Sequence, residues 1–182
     1  MKELEIYIDG ASKGNPGPSG IGVVICRGEL TIKNISSFIG QATNNIAEYM
    51  ALIRALQEAL ILKADIVRVK TDSQLLARQL NKIYKVKHAN IIGLYNQAVR
   101  LLSAFKETSI INIPREENCG ADKLATLAVK KELKKPAYRQ PGLRSNHTQL
   151  RSLVSTHLTM NRAISPSNRG FSTPLEVTNA KE

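Results

Sequence analysis

The chain has no tryptophan, only 4% aromatic residues and two cysteines in 182 residues. Two cysteines, Cys26 and Cys119, are too few for a disulfide framework, so a reducing, cytoplasmic setting is the expectation. No stretch is long and apolar enough to span a membrane. The N-terminus also lacks the basic-then-apolar layout of a signal peptide. Acids are scarce as well: 15 against 26 lysines and arginines, a net charge of +11. That excess points to a polyanionic partner, with solubility as the plainer alternative. What remains is ordinary. Hydrophobic residues make up 42% of the chain, enough for a packed core, and the length fits one domain plus an appendage.

Four of the acids, Asp9, Glu48, Asp72 and Asp122, recur near the ends of expected elements. Ile6-Tyr7-Ile8-Asp9 reads as an alternating apolar strand ending on an aspartate, followed by the run Gly14-Asn15-Pro16-Gly17-Pro18-Ser19-Gly20. Strands are expected over 4–9, 20–26 and 31–39, the last two joined by a hairpin at Arg27-Gly28-Glu29. A helix follows over 43–62, because Ile46, Met50, Ile53, Leu56 and Leu60 recur at three- and four-residue steps, leaving Gln57 and Glu58 on a solvated face. Further expectations are a strand over 66–71, helices over 73–80 and 91–105, a strand over 109–113 and a helix over 119–133. The order β-β-β-α-β-α-α-β-α implies an α/β fold with a five-stranded mixed sheet. An antiparallel meander comes first, then parallel strands joined by helical crossovers. Composition changes at Lys134-Lys135-Pro136. Residues 136–182 carry six basic and two acidic side chains among Ser, Thr, Asn and Pro, and read as a basic, mostly disordered tail beyond a domain of residues 1–135.

Taken one at a time, each acid has a structural reading. Asp9 suits a turn, Glu48 a capping-box-like pair with Asn45, Asp72 a helix N-cap, and Asp122 the first turn of a helix. Their conjunction says more. With the first strand central and strand 66–71 parallel beside it, Asp9 and Asp72 fall at adjacent C-terminal strand ends, and helices bring in Glu48 and Asp122. Four such carboxylates repel unless cations neutralise them, and a hard divalent metal is the natural counter-charge. The five glycines from Gly10 to Gly22 lack a Gly-Lys-Ser/Thr ending and a third glycine at position 25. They therefore exclude a P-loop and weaken a dinucleotide reading, leaving a tight turn that lets backbone approach a ligand.

These residues resemble type 1 ribonuclease H. The matching stretches are Tyr7-Ile8-Asp9-Gly10-Ala11-Ser12 with Gly14-Asn15-Pro16-Gly17, Thr43 to Leu52 (TNNIAEYMAL), Thr71-Asp72-Ser73-Gln74, and Glu117-Asn118 followed by Ala121-Asp122-Lys123-Leu124-Ala125. They span residues 1 to about 130 in the family's order. The resemblance implies the ribonuclease H-like fold, with helices on both faces of its sheet. It also implies a monomeric endonuclease that cuts the RNA strand of RNA–DNA hybrids with two Mg²⁺ ions, leaving 5′-phosphate and 3′-hydroxyl ends. Mn²⁺ is an alternative metal and double-stranded RNA a second candidate substrate. Asp9, Glu48, Asp72 and Asp122 match the four metal-binding carboxylates. Asn15, Asn44 and Gln74 match hybrid contacts, and Thr43 a DNA-phosphate contact.

Two departures stand out. The loop 114–121, where many members carry a histidine, has Arg115, Glu116 and Glu117 and no histidine. The basic protrusion of some members shrinks to Lys82-Ile83-Tyr84-Lys85-Val86-Lys87-His88. The rivals are a non-catalytic hybrid- or double-stranded-RNA-binding module of the same fold, and a resolvase or integrase. Intact acids weigh against the first, since polyanion binding alone favours losing them. The Thr-Asn-Asn-x-x-Glu and Thr-Asp-Ser-Gln motifs weigh against the second.

Overall fold

The computed structural model describes residues 1–135; the 136–182 tail expectation lies outside the described residues. Strands β1 (Glu3–Ser12), β2 (Gly17–Arg27) and β3 (Leu30–Ala42) form the meander. Helix α1 (Asn44–Ile61), strand β4 (Ile66–Thr71), helices α2 (Gln74–Leu80) and α3 (Ala89–Leu102) and strand β5 (Glu107–Asn112) follow. A single 3₁₀ turn, Arg115–Asn118, leads into α4 (Cys119–Lys134). The sheet order is β3-β2-β1-β4-β5, with β1–β2 and β2–β3 antiparallel and β1–β4 and β4–β5 parallel. The expected five-stranded mixed sheet is therefore present, with β1 at its centre.

Alternation decides which residues meet which layer. Leu4, Ile6 and Ile8 of β1 lie in register with Val67, Val69 and Thr71 of β4, and all six are fully buried. Ile21, Val23 and Ile25 of β2 extend the same face. Helix α1 packs there, with Tyr49, Leu52, Leu56 and Ala59 buried. Helix α4 packs on the other face, mainly on β2. Beyond its reach, on the parallel half, that face carries a polar ladder. Arg68 pairs with Glu3 and Glu107, and Lys70 pairs with Glu5 and lies over the Tyr7 ring.

Several expectations need correction. Strand β1 does not end at Asp9. It runs on to Ser12, because its antiparallel pairing with β2 continues through Ser12↔Ser19 after the parallel ladder with β4 has stopped at Ile8↔Thr71. The α1 stripe is rotated: Leu60 is exposed, whereas Glu58 is 2% exposed. Glu58 is buried because α1 is covered by β1 and α3 together, and Lys33 of β3 and Arg54 neutralise it. Helix α3 stops at Leu102, three residues early, and β5 starts two residues early at Glu107. Phe105 is buried in the connection between them.

The glycines also serve a different purpose from the one expected. A Cβ on Gly10 would lie 2.3 Å from the Glu48 backbone nitrogen, and one on Gly22 would lie 2.0 Å from the Ala121 carbonyl oxygen. They admit helix backbone from opposite faces of the sheet, α1 at Gly10 and α4 at Gly22. Exposed Gly93, inside α3, meets nothing within 4 Å. Gly22→Ala is expected to lower stability by about 3 kcal/mol, because backbone has to move. Gly93→Ala is expected to raise it by about 0.5–1 kcal/mol through helix propensity. Urea unfolding of the two variants checks both signs.

Candidate active site

Three of the four sequence-selected acids converge. Asp9, Glu48 and Asp72 each offer a carboxylate oxygen, and these atoms lie within 4.8 Å of one another. Asp9 sits on β1, one residue past the end of the β4 ladder, and Asp72 directly follows β4. Glu48 lies in the second turn of α1, brought in by the close approach at Gly10. None is spent on the local role that its sequence context allowed. The α1 N-cap is Thr43, whose Oγ1 accepts from the Ile46 amide at 3.3 Å. The α2 N-cap is Ser73.

Electrostatics mark the cluster as strained. Asp9 is 6% and Glu48 5% exposed. Burial, then the charges of Asp72 and Asp122, push the Asp9 pKa up to about 6, partly offset by Arg115 and the Gly10 amide. Burial, with Asp9 and Asp72 nearby, raises Glu48 well above the ordinary range. Glu48 Oε2 is buried with no hydrogen-bond partner. A buried acceptor without a donor, inside a knot of like charges, is a hard-cation site by the chemistry of its donors. The residues present fit a divalent metal.

Asp122 stands apart from this group. It lies in the first turn of α4, and its Oδ1 accepts from Arg115 Nη2 at 2.7 Å. Arg115 is thus the only cation among the described residues to ion-pair with any of the four acids. Its pairing role went unread because the contact depends on the 3₁₀ turn that folds residues 115–118 back toward α4. Asn118 was also missed as a site residue. It is fully buried, and its Nδ2 donates to Ile8 O and to Asp72 Oδ1, both at 2.9 Å.

Beside the acids lies a cleft of about 390 Å³, bounded by the start of α1, by α2 and by the segment leading to α3. Glu48 opens onto it, together with Asn15, Thr43, Ser73, Lys85, Lys87 and His88. Asn15 Oδ1 accepts from the Asn44 amide at 3.3 Å, so the loop after β1 is pinned to the start of α1. Asn44 and Gln74 are exposed next to the cleft without lining it. Tyr84 is held against Arg78, its ring 5.1 Å from the guanidinium. On the other side of the acids, Arg115, Glu116, Cys119, Asp122 and Lys123 line a shallower hollow of about 270 Å³.

Comparisons with known proteins agree with this geometry. Residues 7–128 match the family model described as reverse transcriptase-like. A ribonuclease HI of Halobacterium salinarum is 40% identical over 127 residues, covering 69% of this chain and 64% of the relative. A bifunctional protein of Mycobacterium tuberculosis is 40% identical over 129 residues, covering 70% of this chain. This chain spans only 35% of that mycobacterial protein's length. The crystal structure of RNase H1 from Halobacterium salinarum superimposes with a TM-score of 0.69 at 38% identity, covering 71% of this chain and 98% of that one. A compost-derived RNase H1, solved in complex with an RNA/DNA hybrid, gives 0.68 at 39% identity, covering 71% and 99%.

The raised Asp9 pKa has a sign that can be checked. A carboxyl whose folded pKa lies above its unfolded value contributes most to stability below about pH 4, and that contribution is lost as pH rises through about 6. In metal-free protein, Asp9→Asn is therefore expected to stabilise the fold at pH 7 by roughly 2–3 kcal/mol and to give no gain below pH 4. Thermal melts of both proteins in a chelator at the two pH values read this directly.

Proposed function

Since this chain belongs to the RNase H-like, reverse transcriptase-like family, we propose that it is an endonuclease that hydrolyses the RNA strand of RNA–DNA hybrids. The observation that carries this reading is the trio of buried Asp9 and Glu48 with half-buried Asp72, beside a cleft lined by amides, hydroxyls and lysines. In this reading residues 1–135 are the catalytic domain, working as a monomer in the cytoplasm. No helix among the described residues is long and apolar enough to cross a membrane.

Asp9, Glu48, Asp72 and Asp122 would hold two divalent ions, Mg²⁺ by preference and Mn²⁺ as the alternative. When bound, such ions activate a water for in-line attack on the scissile phosphate and stabilise the leaving 3′-oxygen. The chain's own side chains do the rest. Buried Asp9 and Glu48 present charge where water is largely excluded, so their pull on a hard cation is little screened. Thr43 and Asn15 offer donor groups to the sugar-phosphate backbone, and Asn44 and Gln74 reach toward minor-groove edges and 2′-hydroxyls. Lys85 and Lys87 supply the cationic wall of the cleft, with His88 beside them. Arg115 holds Asp122 until cation or substrate competes for it. Products would carry 5′-phosphate and 3′-hydroxyl ends.

The test is cleavage of an end-labelled hybrid with Mg²⁺, with EDTA, and by Asp9→Asn, with double-stranded RNA and DNA duplexes alongside. Cutting of the RNA strand alone, abolished by EDTA and reduced at least about 1000-fold in the variant, is the expected result. Tight hybrid binding without cutting in either Mg²⁺ or Mn²⁺ would favour the binding-module reading instead. The tail's part rests on its charge. Removing residues 136–182 is expected to leave kcat unchanged and raise KM, with the difference shrinking as salt increases. Steady-state kinetics at two salt concentrations measure it.

A further inference from the structure

Among the described residues, Asn118 is the one whose side chain donates both to the β1 backbone beside Asp9 and to the Asp72 carboxylate. It sits where the 3₁₀ turn passes into α4, four residues before Asp122, and is fully buried. Its single side-chain nitrogen donates to two acceptors, one on β1 and one just past the end of β4. One is the carbonyl of Ile8, the last β1 residue paired with β4; the other is Oδ1 of Asp72. Both neighbours are pure acceptors, so the amide nitrogen has to face them. Asn118 Oδ1 is left buried with no partner. An apolar side chain would fill the space without that unsatisfied oxygen. What only an amide nitrogen supplies here is a donor to a carboxylate inside a cluster of carboxylates.

We propose that Asn118 is a positioning residue for the metal site. It fixes one oxygen of Asp72, so that the other is presented toward Asp9 and Glu48, and it ties that carboxylate to the β1 backbone beside Asp9. Its N–H also draws off charge from Asp72, easing the repulsion inside the trio without adding a cation that would compete with metal. The proposal rests on the metal-site reading above. It goes further by giving a residue outside the four acids control over the geometry of one of them.

The experiment is calorimetric titration of the full chain with Mg²⁺ alone, no nucleic acid present, for the unaltered protein, Asn118→Asp and Asn118→Ala. Asn118→Asp keeps the shape and turns the donor into an acceptor facing Asp72. It is expected to weaken Mg²⁺ binding by about tenfold or more; Asn118→Ala is expected to weaken it less. On hybrid substrate both should lower kcat while KM for the hybrid stays within about twofold. In the unaltered protein, the Asn118 side-chain amide resonances should move in step with Mg²⁺ saturation, a readout that needs no variant to fold. Amide resonances that ignore Mg²⁺, or variants that bind it as tightly as the unaltered protein despite lower melting temperatures, would overturn the proposal and leave Asn118 a structural residue. An unaltered protein that binds no Mg²⁺ would overturn the metal-site reading and this proposal together, which sets the two failures apart.

Discussion

Two helix backbones reach the centre of one sheet from opposite faces, and the acidic site depends on how near they come. Gly10 lets α1 approach until the Glu48 amide lies where a side chain would otherwise stand. Gly22 does the same for α4 at the Ala121 carbonyl, next to Asp122. Asp9 is chain neighbour to the first glycine and registers with the second across the β1–β2 ladder. The glycines and the carboxylates are therefore one construction. The packing distance that buries Leu52 and Leu56 against Ile6 and Ile8 is the same distance that carries Glu48 to Asp9.

That closeness has an electrostatic cost, which the core has to carry. Asp9 and Glu48 are driven above their ordinary pKa values first by burial, and then by Asp72 and Asp122 for Asp9 and by Asp9 and Asp72 for Glu48. The only ion pair to any of the four acids, among the described residues, goes to Asp122 at the edge. The trio itself receives an amide donor from Asn118 and no cation. Glu58 makes the comparison within the same helix. It is as buried as Glu48, yet Lys33 and Arg54 pair with it and no orphaned oxygen remains. One acid of α1 is balanced by the fold; the other is left with an unmet demand for positive charge. Buried acids of the second kind are the ones expected to do chemistry.

Much of this was readable from the residues. The central place of β1, parallel β4 beside it and the α1 span followed from alternation, from the three- and four-residue step, and from the rule that parallel strands need crossovers. The four acids stood out because they recur near element ends that the topology brings together. What could not be read depended on what approaches a residue from elsewhere. Gly10 looks like a turn glycine until α1 is placed over it. Glu58 looks solvated until Lys33, 25 residues earlier, is found beside it. Asn118 acts across 110 and 46 residues of chain, on Ile8 and Asp72. Its sequence neighbourhood matches the family's pattern but gives no sign of these two contacts. The ends of α3 and β5 shifted because Phe105 is apolar enough to extend a helical pattern but is buried in a connection instead.

The distribution of charge around the site also bears on how a polyanion would reach it. Carboxylates alone repel phosphate, and an excess of lysine elsewhere on the surface would hold nucleic acid away from the acids. Here the basic groups flank them. Lys85, Lys87 and His88 share the cleft onto which Glu48 opens, and Arg115 and Lys123 line the hollow on the side of Asp122. A backbone drawn to both flanks would cross the acids between them. Repulsion at the crossing point would remain until divalent cations occupied the trio, so metal loading and substrate binding should reinforce each other. Neither the acids nor the flanking lysines would produce that coupling alone. It follows from the sheet edge at which β1, β4 and the two helices bring them side by side.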